Sequence, residues 1–175
     1  MRRHQRTAIA LWGVSLIGLP LLPSGAQQRE PAPGEEDFGR WEQSASRCRI
    51  VMPDLAAPSP AREGTCRGLR LDQQMAGLLG VRFLASTSRD GAPPGQLVFA
   101  GVLRRTSQPM ACRDGRCTPR WPMVLQVSAV ASNAFSALGL PTAQVALGEC
   151  RLELHRATCQ ARDREGRQWQ AQMQW

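Results

Sequence analysis

A cysteine and a histidine are the residues of this chain whose types could support nucleophilic catalysis. Cys66 is the middle residue of Gly-Thr-Cys-Arg-Gly, which has the G-x-C-x-G form of a nucleophile elbow. His155 could act as its base. Such an elbow belongs between a parallel strand and a helix, and no strand–helix–strand pattern surrounds this one. A Cys–His thiol enzyme is therefore only an alternative, and we expect a protein that is not an enzyme and needs no cofactor.

Other catalytic signals are missing from the sequence. The chain contains no lysine and no tyrosine, which excludes Ser–Lys pairs, Schiff bases and tyrosine nucleophiles. His155 is the one histidine beyond the N-terminal segment, so a multi-histidine metal site is excluded as well. Among the acidic residues, no spacing singles out a carboxylate pair of the glycosidase kind.

Residues 1–26 have the features of a secretory signal peptide. Arg2, Arg3 and Arg6 precede an uncharged apolar run, and small residues lead up to Ala26. The run has about 16 residues, fewer than the roughly 20 that span a bilayer. We therefore expect cleavage after Ala26, no transmembrane helix in the mature chain, and a periplasmic or extracellular location. An uncleaved N-terminal anchor is the alternative.

The charge of the expected mature chain is uneven. Cleavage would leave 19 arginines against 14 acidic residues. Residues 27–46 are acidic, polar and rich in proline and glycine, which predicts a flexible tether, and residues 47–175 form the predicted domain. Guanidinium groups bind phosphate, sulfate and carboxylate bidentately. The partner is unknown from sequence; an anionic envelope component or a protein would suit these arginines, a solvated surface is the alternative, and no nucleic acid is expected.

Six cysteines in an exported chain predict three disulfides. Asp114-Gly115 favours a two-residue hairpin turn, which places Cys112 opposite Cys117 at a non-hydrogen-bonded site. A turn over residues 153–156 would set Leu152 against Ala157 and Cys150 against Cys159. Elimination then pairs Cys48 with Cys66, which closes the longest loop of the three.

The hairpin between Cys112 and Cys117 carries a candidate contact site. Arg113 and Arg116 close its turn, and Arg120 and Trp121 follow shortly after. A disulfide across so small a loop stiffens its tip, which could present these four side chains to a partner. The alternative is an ordinary stapled surface loop.

Short alternating segments separated by glycine and proline predict an all-β or β-dominated fold. Strands are indicated at residues 47–52, 96–105, 121–130 and 142–147, with 96–105 central because both of its sides are apolar. Residues 68–86 favour two strands with a bulge near Gly77 or Gly80 over a helix, and residues 53–64 a loop. Residues 132–138 favour one short helix. The predicted architecture is a small antiparallel sandwich or partly closed barrel with three disulfides.

The last 26 residues predict a closing hairpin. With residues 164–166 as a three-residue loop and Gly166 left-handed, Asp163 closes against Arg167. Small residues then face large ones on one side, and His155 lies beside the terminal tryptophan, packed at the sheet end. The facing pairs are Ala161 with Trp169, Cys159 with Ala171, and Ala157 with Met173.

The same alternation to Trp175 resembles the C-terminal strand of outer-membrane β-barrel proteins. The resemblance covers about seven residues, and the predicted strands at 47–52 and 142–147 are shorter than the roughly 9–11 residues such barrels need. A small outer-membrane barrel is thus a second alternative beside the thiol enzyme. The function we expect is a binding or structural module of the cell envelope.

Overall fold

The computed structural model describes residues 36–53, 61–86, 95–133 and 141–175. The predicted signal peptide, the tether up to residue 35 and residues 134–138 of the predicted helix lie outside these ranges. Within them the chain contains no helix. It forms twelve strands: β1 Gly39–Ser44, β2 Arg47–Met52, β3 Arg62–Gly64, β4 Cys66–Met75, β5 Leu78–Ala85, β6 Gln96–Leu103, β7 Ala111–Arg113, β8 Arg116–Thr118, β9 Met123–Ser132, β10 Thr142–Glu153, β11 Arg156–Arg162 and β12 Gln168–Gln174.

The strands belong to one curled sheet in the order β3-β2-β12-β11-β10-β9-β6-β5-β4-β1-β8-β7. Strands β1 and β2 are separated by two residues, yet β1 pairs with β4 and β2 pairs with β12. At this bend the Ala45 N–H donates to the Arg67 carbonyl at 3.0 Å, and the Ser46 N–H to the Gln174 carbonyl at 2.8 Å. The bent strand therefore draws two distant parts of the sheet together, giving the partly closed barrel that was one of the two predicted forms.

Apolar side chains from nearly all the long strands fill the inside of this curl. Strand β6 is central, as predicted, with Leu97 and Phe99 fully buried, and Phe99 meets Phe83 edge-on at 6.0 Å between ring centroids. Alternation along each strand places one set of side chains inward and the other outward. The largest fully buried side chains are Phe83, Phe99, Ile50, Leu69, Leu71, Leu79, Leu97, Met110, Met123, Leu125, Leu152 and Met173.

Three half-buried tryptophans cover one end of the core. The ring centroids of Trp41 and Trp121 are 5.4 Å apart, those of Trp41 and Trp175 5.6 Å, and those of Trp121 and Trp175 5.9 Å. This tryptophan cluster joins β1, the segment before β9, and the residue after β12. Its members come from three distant parts of the chain, so the cluster brings those parts into contact at one end of the sheet.

The closing hairpin has the predicted register. Ala161 pairs with Trp169, and the other two predicted pairs follow along β11 and β12. Gly166 has a φ of 83°, and the Asp163 N–H donates to the Arg167 carbonyl at 3.1 Å. The prediction for His155 is wrong at its side chain. The Trp175 N–H does donate to the His155 carbonyl, but His155 is exposed, and the Trp175 indole packs on Trp41 and Trp121.

Three stretches form more regular structure than the sequence predicts. Residues 39–44, placed in the tether, form β1, because Trp41 packs inward while its neighbours face solvent. Gly77 lies in the hairpin turn between β4 and β5, with a φ of 85°, and not in a bulge. Residues 62–64, assigned to a loop, pair with β2 as β3.

Candidate functional site

The structure contains the same three disulfides that the sequence predicts. The Cα atoms are 5.3 Å apart for Cys48–Cys66, 4.0 Å for Cys112–Cys117 and 4.0 Å for Cys150–Cys159. All six cysteines lie in the described ranges and none is free. Cys66 is buried and bonded, so the alternative thiol enzyme lacks its nucleophile in this structure. The G-x-C-x-G pattern is explained by the start of strand β4.

The predicted contact tip is divided by the fold. Arg113 and Arg116 are exposed and face each other beside the turn, where Asp114 and Gly115 have φ values of 52° and 70°. Arg120 is partly buried and donates to the Pro109 carbonyl at 3.4 Å. Trp121 belongs to the tryptophan cluster. The structure thus leaves two arginines at the tip, and it turns the other two residues toward the body of the domain.

A larger polar surface lies on the outward side of β2, β12 and β11. Trp169, Ala171 and Met173 occupy the inward positions of β12, and a glutamine occupies every outward position of the strand. Cross-strand pairing places Arg47, Gln174 and Arg156 in one row, and Arg49, Gln172 and Thr158 in the next. We call these six residues the Arg/Gln face. They line an open groove of about 360 Å³.

The arginines of this face differ in their pairing. Arg49 forms a hydrogen-bonded ion pair with Glu63 of β3. That hydrogen bond and the Arg49 charge hold the pKa of Glu63 below its usual value. The same hydrogen bond and the Glu63 charge raise the pKa of Arg49. Arg47 and Arg156 are exposed, and within the described residues neither has an acidic side chain at ion-pair distance. Glu153 lies opposite Arg156 across the β10–β11 turn, but no ion pair joins them, so both guanidinium groups can bind an external anion.

The spacing of these groups suits an extended ligand. Adjacent strands are about 4.8 Å apart, so the Cα atoms of Arg47 and Arg156 are separated by about 10 Å. A second groove, of about 270 Å³, lies further along β11 and β12 and is lined by outward residues that include Gln160, Gln168 and Gln170. From Arg156 to Arg162, β11 extends about 20 Å. A chain molecule could therefore contact arginines and several glutamine amides at once.

Sequence reasoning did not find this face as a site. It placed the glutamines of β12 outward, but the two rows need β2, which lies more than a hundred residues earlier in the chain. The signal available locally was the alternation of arginine with apolar residues at positions 47–52, which places Arg47 and Arg49 on the same side of a strand.

No cluster of three or more histidine, cysteine, aspartate or glutamate side chains arranged for a metal ion occurs among the described residues. In the same part of the chain, no helix has the length and apolar character needed to cross a membrane. Comparison with protein-family models, with curated proteins and with solved structures found no match.

Proposed function

We propose that the protein is an exported binding module of the cell envelope whose Arg/Gln face holds an anionic polymer. The observation that carries the proposal is the row Arg47–Gln174–Arg156, in which two exposed arginines that form no ion pair with any described residue flank an amide on an open strand surface. Guanidinium forks bind carboxylate, sulfate and phosphate bidentately. Glutamine amides both donate and accept hydrogen bonds, so they suit the hydroxyl groups of a glycan.

The chemistry of the face favours binding over catalysis. Arginine stays charged at all physiological pH values and glutamine does not titrate, so neither can move a proton near neutrality. The exposed His155 is close in sequence to Arg156, but no free thiol is available to it, because all six cysteines are disulfide-bonded. Retention of a ligand is the activity that these residues can perform.

Export is supported by two observations of different kinds. Three disulfides agree with a location outside the cytoplasm, because thiols are kept reduced within it. The charge and apolar pattern of residues 1–26 is that of a secretory signal peptide. We propose the periplasm or the cell exterior as the site of action.

The outer-membrane barrel alternative receives less support than the water-exposed module. A lipid-facing strand places its apolar residues outward. In β12 the apolar residues Trp169, Ala171 and Met173 are buried inside the curl, while Gln168, Gln170 and Gln172 are exposed. The alternation that resembles a membrane strand therefore serves the interior of the domain.

The test is a binding titration with three polymers, polygalacturonate, dextran sulfate and uncharged dextran. We expect the purified disulfide-bonded protein to bind one or both charged polymers and not dextran. The double variant Arg47→Gln/Arg156→Gln should lose affinity by about tenfold or more, since each charge-assisted hydrogen bond contributes about 1.5–3 kcal/mol. Comparison of the carboxylate and sulfate polymers identifies the preferred anion.

Arg113→Gln/Arg116→Gln is the matched control, because it removes the same charge from the exposed hairpin tip. It should keep affinity within about twofold to threefold. An equal loss in both variants would mean that general charge attraction explains binding, and a loss in the tip variant alone would move the site to the hairpin. Either result overturns the proposal, as does the absence of binding to both charged polymers.

A further inference from the structure

The second groove, which continues along β11 and β12 beyond the Arg/Gln face, has a different chemistry. Its lining includes the amides of Gln160, Gln168 and Gln170 and the exposed side chain of Leu147. Arg162 is the one cation among its lining residues, and its guanidinium lies against the amide of Gln168. We call this site the amide groove. Its walls offer mainly hydrogen-bond donors and acceptors, because an amide provides both.

An acidic residue beside the amide groove disfavours an anion there. Glu149 of β10 pairs with Gln160, so its side chain projects to the same outward side of the sheet. Its carboxylate is held by Arg104 at 2.5 Å and by Arg151 at 2.6 Å. Those two guanidinium groups are thereby paired, and a second carboxylate in the groove would be repelled by Glu149. The amide groove thus favours an uncharged group.

The Arg/Gln face and the amide groove are continuous along one pair of strands. Gln174 lies in the row with the two arginines that form no ion pair, and Gln170 lies four residues earlier on β12, in the amide groove. Four residues of an extended strand cover about 13 Å. Gln172 and Thr158 lie in the row between them. A ligand that binds the arginines can therefore extend into the amide groove along the same surface.

We infer that the amide groove binds an uncharged, N-acetylated sugar of the same polymer whose acidic sugar is held by Arg47 and Arg156. The inference rests on the proposed function of the Arg/Gln face. The acetamido group of such a sugar has one donor and one acceptor, and glutamine side chains can bind both. Leu147, which is 71% exposed, supplies an apolar wall for the C–H face of a sugar ring. The preferred polymer therefore contains both acidic and N-acetylated sugars, and does not carry an acid on every unit.

The test compares the binding of two octasaccharides, one from hyaluronan and one from polygalacturonate, by isothermal titration calorimetry. Hyaluronan alternates glucuronate with N-acetylglucosamine, so its octasaccharide carries half the charge of the galacturonate octamer. General charge attraction alone predicts tighter binding of the galacturonate octamer. We expect the opposite order, with the hyaluronan octasaccharide binding about fivefold or more tightly, because its amides form hydrogen bonds in the amide groove.

The variant Gln160→Ala/Gln170→Ala removes two amides from the groove and leaves the arginines unchanged. It should lose most of the preference for the hyaluronan octasaccharide and keep its affinity for the galacturonate octamer within about twofold. Gln74→Ala/Gln126→Ala is the matched control, because it removes two exposed amides that lie on β4 and β9, outside both grooves. It should keep the preference. All four glutamines are exposed, so both variants should retain the circular dichroism spectrum of the wild type.

The possible failures of the inference and of the proposed function differ in this experiment. Equal or tighter binding of the galacturonate octamer by the wild type would overturn the inference and leave the proposed function standing. A preference for hyaluronan that Gln160→Ala/Gln170→Ala retains, or that the control variant also loses, would overturn the inference as well. Absence of binding to both octasaccharides would count against the proposed function and the inference together.

Discussion

Asp163 holds together the last loop of the chain with one carboxylate. Its side chain is 5% exposed and accepts hydrogen bonds from the Arg167 N–H at 2.9 Å, the Glu165 N–H at 3.0 Å and the Arg167 Nε at 2.6 Å. Desolvation by burial raises the pKa of Asp163, but the hydrogen bonds and the Arg167 charge together outweigh it, so the pKa lies below its usual value. The ionised carboxylate is therefore the form that the fold stabilises.

This lowered pKa predicts a loss of stability in acid. A group whose pKa is depressed on folding contributes stability above its unfolded pKa, about 3.9 for aspartate, and loses that contribution as the pH falls through the folded value. We expect the free energy of unfolding to decrease below about pH 4. Asp163→Asn should be less stable than the wild type at neutral pH and should show a shallower decrease in acid.

Urea unfolding at a series of pH values measures this difference. Glu165→Gln is the control, because Glu165 also contacts Arg167, at 3.0 Å, but its side chain is 70% exposed. That variant should follow the wild-type pH dependence closely. Parallel curves for the wild type and Asp163→Asn would show that other carboxylates cause the acid sensitivity.

At the scale of the elements, the disulfides join different pairs of strands and close loops of different length. Cys48–Cys66 spans 18 residues and links β2 to β4, where distant parts of the sheet meet, whereas Cys112–Cys117 spans five within one hairpin. In the chain-entropy model such loops stabilise the fold by about 3 and about 2 kcal/mol respectively. We expect Cys48→Ala/Cys66→Ala to lower the free energy of unfolding by about 1 kcal/mol more than Cys112→Ala/Cys117→Ala. Urea midpoints of the two variants measure the difference, and the reverse order would contradict it.

Hairpins were predictable from the sequence because their causes are local. Asp114-Gly115 sets one turn and Gly166 another, and alternation then determines which side chains face each other. Strand β1 was not predictable, since its partner β4 lies about thirty residues away and its polar composition is typical of a linker. The Arg/Gln face was not predicted from the sequence for the same reason. Its arginines lie on β2 and β11, which are brought together because both strands pair with β12.

A buried polar residue shows the same limit within one strand. Gln73 is 3% exposed on the inward side of β4, where alternation alone predicts an apolar residue. Its Nε2 donates to the Asp37 and Met110 carbonyls at 3.1 and 3.2 Å, and its Oε1 accepts from the Met110 N–H at 2.8 Å. It thus holds two connecting segments against the sheet. Only the fold reveals those segments as its partners, so the sequence could not assign the role.

At the scale of the whole molecule, the curl of the sheet separates an apolar interior from an outward surface that carries the Arg/Gln face. The bend at Ala45 and Ser46 lets the two strands beside it pair with β4 and with β12. The Arg/Gln face does not exist on a single strand, because its residues come from β2, β12 and β11. Binding of an anionic polymer to that face therefore depends on the pairing of these three strands being maintained.

The tryptophan cluster is the contact that we expect to maintain the curl at its end. Trp175 contacts both Trp41 and Trp121, so it joins β12 to β1 and to the segment before β9. Trp175→Ala removes two aromatic pairs, each contributing about 0.5–1.5 kcal/mol, together with half-buried apolar area. We expect the free energy of unfolding to fall by about 2–4 kcal/mol, and the near-ultraviolet circular dichroism of the remaining tryptophans to weaken.

Leu154→Ala near the same end is the control, because Leu154 is 58% exposed and should change stability by less than about 0.5 kcal/mol. Equal stabilities of the two variants in urea unfolding would mean that the disulfide and the strand pairing hold the curl without the cluster.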